Sequence, residues 1–251
     1  MEADKELRES GLAPGSWNDA LAKVKAKLSP DDWDKFSRLH RNFAGYRTED
    51  TLSRFYSFAF SRGLQLEING HRFARLAGII ESLTKVIDPG HALLDLGAGA
   101  GIIAGILQRG LKPAAYVVQD PCAGIRDFLV RSGFSVLPHP PPLLPPERTF
   151  DRILCVDSLG EVNADEDGML SETAEIEAGE YADLFEQRYG IVQKLHPWRA
   201  YLAKEGRVFI WEPLKHKRAW ETLSALLKEA GWITEFHAHR PNPPFLELKL
   251  A

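Results

Sequence analysis

The sequence predicts an α/β fold: a doubly wound, seven-stranded, mostly parallel sheet with an antiparallel last strand, plus an N-terminal helical cap. Three observations carry this expectation. From residue 91 onward, apolar runs alternate with helix-like segments, the pattern of a mainly parallel sheet. Before residue 91 no strand pattern occurs, only helical spacing. Between the two lies Leu93-Leu94-Asp95-Leu96-Gly97-Ala98-Gly99-Ala100-Gly101, an apolar run that meets three alternate glycines and then a helix-like run, Ile102 to Arg109. That is the layout of a buried strand feeding a nucleotide-binding loop. Residues 1–70 form the expected cap, where substrate identity is written, and 71–251 the sheet domain.

Composition bounds the function. The 251 residues are 44% hydrophobic and 26% charged, the profile of an ordinary globular protein. A net charge of −4 argues against a nucleic-acid partner, which needs a basic face. Cys122 and Cys155 are too few for a disulfide framework or a zinc cluster, and Cys155 reads as a small core residue. A reducing cytoplasm fits. Met1 to Ser10 is too charged for a signal peptide, and no run reaches the ~20 apolar residues of a membrane span.

In chain order, residues 1–15 read as polar and frayed. Trp17, Leu21, Val24 and Leu28 recur at helical spacing. Ser29-Pro30 starts the next helix, with Ser29 as N-cap and Pro30 at the first helical position. An aromatic-rich stretch from Thr51 ends at Gly63, and a helix runs from Gly70 to Val86. The strands are expected at His91–Leu96, Ala114–Gln119, Phe134–Leu137, Phe150–Val156, Arg207–Trp211, Trp232–Ala238 and Phe245–Leu250. Helices fall at Gly101–Arg109, capped by Gly110, at Ile125–Arg131, at Tyr181–Leu202 and at Lys217–Ala230. Six prolines between Pro138 and Pro146 exclude helix and central strand. Residues 163–180 are acidic and weakly apolar, a loop or lid. The short Arg240–Pro244 link suits an antiparallel final pair.

Two ligand classes compete for the glycine loop. Gly99-Ala100-Gly101-Ile102-Ile103-Ala104 satisfies the dinucleotide string G-x-G-x-x-A. That register buries Asp95 inside a central strand, where an unpaired carboxylate is costly. In the other register the strand ends at Leu96, and Asp95 lies at its carboxyl end, where it suits a cationic ligand better than a pyrophosphate. Asp120, at the end of the second strand, can accept from both ribose hydroxyls in either class.

At these residues the chain resembles the class I S-adenosylmethionine-dependent methyltransferases. Leu93–Gly101 is similar to that family's first motif. Phe150-Asp151-Arg152-Ile153-Leu154-Cys155-Val156-Asp157-Ser158-Leu159 is similar to its fourth-strand motif. Leu202–Pro213 is similar to its fifth-strand region, with Glu205-Gly206 where Gly-Gly or Pro-Gly is usual. The resemblance covers roughly residues 70–251 and implies S-adenosylmethionine as cofactor and S-adenosylhomocysteine as product. It implies that Gly97, Ala98, Gly99 and Gly101 pass under the methionine part, that Asp95 orients its amino group, and that Asp120, beside Pro121, takes the ribose hydroxyls. His139 stands where the family commonly has an acidic residue at the adenine amino group, a departure that leaves a ring nitrogen or main chain to make the contact. Asp157 and Ser158 would face the transferred methyl. Asn242-Pro243-Pro244-Phe245 matches the tetrad of methyltransferases that modify planar amines. In those it follows the fourth strand, so here it reads as an ordinary turn.

Methyl transfer from a sulfonium is an in-line displacement, in which the enzyme supplies alignment, desolvation and, for a hydroxyl acceptor, a base. The base candidates are His71, His139, His196, His216, Asp157 and Glu161, with Asp157 and His196 first. Asp157, Glu161 and Asp165 read as a solvated acidic run, with no metal expected. Tyr46 and Tyr56 of the aromatic-rich cap, with Glu161, are the expected substrate contacts; dense aromatics also suit a homodimer seam. The leading expectation is a methyltransferase acting on O or N of a small molecule. The alternatives are a protein or peptide methyltransferase, whose acidic loop holds a basic substrate, and a cofactor-binding scaffold subunit without its own chemistry.

Overall fold

The computed structural model describes residues 2–45, 49–139, 148–158, 192, 195–212, 214, 217–238 and 242–251. The strands are β1 (Ala92–Leu96), β2 (Ala115–Gln119), β3 (Ser135–Val136), β4 (Phe150–Val156), β5 (Leu202–Trp211), β6 (Trp232–His237) and β7 (Phe245–Leu250). They form one seven-stranded sheet in the order β3-β2-β1-β4-β5-β7-β6. The chain divides into two compact units, one of Met1–Pro89 with Ala98–His139, the other of Gly90–Gly97 with Pro140–Ala251. The division falls inside the glycine loop, between Gly97 and Ala98.

The first unit holds α1 (Ala3–Glu9), α2 (Trp17–Lys27), α3 (Pro30–Gly45), α4 (Glu49–Ser61), α5 (Phe73–Val86), α6 (Ile102–Leu111) and α7 (Ala123–Arg131), with β2 and β3 parallel. Capping starts its helices where the sequence says. Ser16 and Asp19 form a reciprocal capping box on α2, and the Asp32 main-chain N–H donates to Ser29 Oγ at 3.2 Å on α3. The aromatics of α3 and α4 stack on each other, Phe36 and Phe43 each meeting the buried Phe55 at 5.4 and 5.3 Å between ring centroids. Phe60 then meets Phe128 of α7 edge-on at 5.0 Å. Most of the dense cap aromatics are therefore core of this unit.

Residues 1–15 are not frayed. They form α1, which packs on α5 and α6, and bury Ala3, Leu7 and Leu12. Arg109 of α6 ties down the end of α1, donating to Ser10 Oγ at 2.8 Å. The charged residues between Ala3 and Leu7 hid an apolar pair at helical spacing. Gly110 does not cap α6: the helix runs on to Leu111, and Lys112 takes the left-handed conformation, with φ of 49°. Pro113 sets that end, because the residue before a proline is driven out of the right-handed helical region.

In the second unit β1 runs parallel to β4 and β4 to β5, while β7 pairs antiparallel with both β5 and β6. This is the expected antiparallel close. β5 starts five residues earlier than expected, at Leu202, because Lys204-Glu205-Gly206 is taken up in a bulge opposite β4 rather than in a turn. Trp211, Phe209, Phe150 and Leu246 fill the core, and Cys155 is fully buried among them, as expected. Helix α8 (Lys217–Glu229) packs on β6 and buries Trp220, Leu223 and Leu227. His196 opens a 3-10 helix, His196–Tyr201. No described helix is long and apolar enough to cross a membrane. Tyr46, Glu161, Asp165, His216, the acidic stretch 163–180 and most of the proline run lie outside the described residues, as does most of the expected Tyr181–Leu202 helix.

Candidate functional site

In the first unit the turn after β2 is built around one carboxylate. Asp120 is 4% exposed. Its Oδ2 accepts from the Gly99 main-chain N–H at 3.0 Å and its Oδ1 from that of Cys122 at 2.9 Å. The carbonyls of the same turn are held by Arg126, whose Nη1 donates to Asp120 O at 2.8 Å and Pro121 O at 2.6 Å. Burial pushes the Asp120 carboxyl up from its ordinary 3.8 to about 6, against the pull of the two N–H groups and Arg126. Ala98 N–H donates to Gln119 O at 3.0 Å, tying the glycine loop to the end of β2. Gly99 and Gly101 both have positive φ, and a Cβ on Gly101 would stand 2.9 Å from both Leu129 and Phe134. No other residue fits that corner.

Two features of this turn escaped sequence reasoning. Gln119, 3% exposed, ends β2 and puts Nε2 2.8 Å from His139 Nδ1. The Gln119 side-chain amide and the His139 ring so meet within hydrogen-bonding distance. Cys122 is the N-cap residue of α7, and its Sγ lies 3.4 Å from both Ser53 Oγ and Ser57 Oγ of α4. Gly124 lets α4 come that close: a Cβ there would meet Ser57 Oγ at 2.3 Å. Tyr56 is half-buried on the same helix, in edge contact with Phe43, Phe55 and Phe60.

In the second unit the strand ends of β1, β4 and β5 carry Asp95, Asp157 and Glu212. β1 ends at Leu96, the register that frees the loop to begin at Gly97, and Asp95 is 3% exposed opposite Leu154. Asp157 has φ of 49°, uncommon for a residue other than glycine, and its N–H donates to Trp211 O at 2.7 Å. The next N–H, of Ser158, donates to Glu212 Oε1 at 3.0 Å. The Glu212 side chain so continues the β4–β5 ladder one step past its last carbonyl. Ser158 also presses on the glycine loop: a Cβ on Gly97, with φ of 69°, would stand 2.3 Å from Ser158 Cβ. Within this unit, then, Gly97, Asp157 and Ser158 are brought together. His196 lies on a separate 3-10 helix and is exposed. Glu212 was visible only as a letter in the fifth-strand region; its signal was an acid ending an apolar run, the same signal that marked Asp95.

No protein-family model and no curated protein matches the sequence. Solved structures do match the fold. DhpI, in its complex with SAH, gives a TM-score of 0.56 over 81% of this chain and 97% of that one, at 15% identity. A chain of the complex between the Haloferax volcanii Trm112 methyltransferase activator and its candidate methyltransferase gives 0.54 over 78% and 97%, at 11% identity. The mitomycin 7-O-methyltransferase MmcR gives 0.50 over 88% and 67%, at 16% identity. The fold is that of the class I S-adenosylmethionine-dependent methyltransferases. At these identities the likeness is one of fold, and the site stands on its own residues.

Proposed function

We propose that the chain is an S-adenosylmethionine-dependent methyltransferase acting on an O or N nucleophile of a small molecule. The observation that carries this reading is the Asp120 turn: a buried carboxylate fixed by the main chain of the glycine loop and of its own turn. A carboxylate has about four acceptor sites, and two N–H bonds leave room for a pair of ribose hydroxyls. The three left-handed glycines, whose backbone carries no side chain, fit the same ligand. When bound, S-adenosylmethionine supplies a methyl activated by its positive sulfur and leaves as S-adenosylhomocysteine.

The residues divide the work as follows. Asp120, beside Pro121, holds the ribose, and Gly99, Gly101 and Ala98 carry the methionine part over bare backbone. Asp95 and Gly97 receive its amino group. His139, set against Gln119, stands at the adenine. Asp157 and Ser158 face the acceptor, with Asp157 or His196 taking the proton that an O or N nucleophile loses as its lone pair forms the new bond to carbon. Tyr56, from the helices of residues 1–70, contacts the acceptor. The likeness to the mitomycin 7-O-methyltransferase MmcR supports a small-molecule acceptor.

Calorimetric titration with S-adenosylmethionine tests the reading first: no binding sinks it. A labelled-cofactor screen across metabolite extract and protein lysate then finds the acceptor. Asp157→Ala separates acceptor types, because loss of a general base costs about 10²–10⁴ in rate for a hydroxyl and little for a neutral amine. The Haloferax match supports a second reading, in which the chain works with a protein partner. Co-purification of a small protein with the tagged chain would favour it.

A further inference from the structure

We propose that Glu235, His237 and Glu247 form a site for a zinc-class divalent metal ion on the last strand pair of the sheet. The site lies wholly within the second unit and is independent of the methyltransferase reading.

The pairing of β6 with β7 puts the three side chains on one face. Glu235 lies directly opposite Glu247 in the register, and His237 lies opposite Phe245, two positions along each strand. The other face of β6 belongs to α8: Trp220 meets Phe236 at 5.6 Å between ring centroids, and Ser224 Oγ lies 2.6 Å from Thr234 Oγ1. Two carboxylates directly opposite on paired strands repel each other, so this position favours a cation between them. The imidazole supplies the third donor. His237 Nε2 lies 3.3 Å from Glu247 Oε2 and 3.8 Å from Glu235 Oε1. One ligand atom from each residue lies within 4.8 Å of the other two. Around a four-coordinate zinc with bonds of about 2.1 Å, ligand atoms stand about 3.4 Å apart. The three atoms therefore mark three corners of such a shell, and Glu235, whose side chain is 71% exposed, can swing in to close it.

The two inner donors are already oriented. Arg207 of β5 donates from Nε to Glu247 Oε1 at 3.1 Å, while Oε2 of the same carboxylate faces His237. The His237 ring stacks on Phe245 at 4.5 Å and 13°, and Phe245 stacks on the buried Trp211 at 4.7 Å. Outer partners of this kind fix ligand orientation at metal sites. These contacts persist with an ion bound, since Arg207 uses the other oxygen of Glu247 and the stack uses the ring face. A nitrogen donor beside carboxylates suits zinc better than magnesium or calcium, which take oxygen ligands. Water completes the fourth corner. Bound there, the ion ties the edge strand β6 to β7 and, through Arg207, to β5.

The test titrates zinc chloride into the untagged full chain by calorimetry and follows melting with zinc or with chelator. Wild type should bind zinc saturably and melt higher with it. Glu235→Gln changes an exposed side chain, and His237→Phe keeps the stack on Phe245. Loss of even an outer partner of a ligand costs about 10–100-fold, so each variant should lose at least about tenfold in affinity for one zinc ion per chain. Zinc should raise the melting temperature of wild type and leave that of Glu235→Gln unmoved. No saturable binding by wild type, or a smaller loss in either folded variant, overturns the proposal. If His237→Phe does not fold, Glu235→Gln alone decides.

Discussion

Two buried carboxylates close two turns of this molecule, and they do so differently. Asp120 accepts N–H groups from Cys122, two residues away, and from Gly99 of the loop before it. Glu212 accepts from Ser158, a residue 54 positions earlier and just past the end of β4. The first turn is doubly held, once from within itself and once by the glycine loop 21 positions earlier. The second exists only because β4 and β5 lie side by side. A turn held partly from within itself keeps one bond when its distant partner moves, whereas a turn assembled from two strands is lost with their pairing.

The largest effect that tests this contrast is expected at Gly97. Gly97→Ala combines a left-handed backbone with a clash against Ser158, each worth about 1–3 kcal/mol, so urea unfolding should show a loss of about 4 kcal/mol. A loss below about 1 kcal/mol would mean that the Ser158 turn gives way freely and is no clamp.

The first turn should declare itself through pH. The unfolded chain loses the Asp120 proton near 3.8 and the folded chain near 6, so between these values the folded state binds more protons. Its stability contribution is therefore full below 3.8 and falls as pH rises to about 6, by about 3 kcal/mol in all. Hydroxyl donors favour the charged form, so cofactor binding should release a proton and weaken as pH drops below about 6. Asp120→Asn should flatten both profiles; an unchanged pH dependence of binding in that variant would clear Asp120 of the role.

Smaller effects probe how α4 leans on the Asp120 turn. Gly124→Ala pushes against Ser57, side chain and backbone alike, and should cost about 2 kcal/mol. Cys122→Ala removes only weak thiol contacts with Ser53 and Ser57 and should cost about 1 kcal/mol. If Gly124→Ala proves neutral while Cys122→Ala is severe, the thiol rather than the close approach holds α4 in place.

Much of this was legible beforehand. The glycine loop, Asp95, Asp120 and Asp157 stand out because an acid or glycine interrupts an apolar run, and a strand end is where such an interruption is tolerated. Gln119 and Glu212 carry the same signal, more quietly, since one is uncharged and the other sits beside Trp211 in a run of aromatic and aliphatic residues. Ser53, Ser57 and Cys122 carry none, because nothing in a serine or cysteine tells which distant backbone it will meet. The helix at Ala3–Glu9 was missed for a related reason: its two buried residues stand among charges, and only packing on α5 and α6 makes them a face.

The sequence by itself determined the order of the seven strands along the chain, the glycine turn and the acids Asp95, Asp120 and Asp157, since these follow from local sterics and the periodicity of apolar residues. Tertiary structure decided the rest. It chose which N–H each acid receives and where β5 begins. It also set His139 against Gln119 and made Glu212 the partner of Ser158. Those outcomes depend on groups far apart in the chain meeting at about 3 Å, and no short stretch of sequence encodes such a distance.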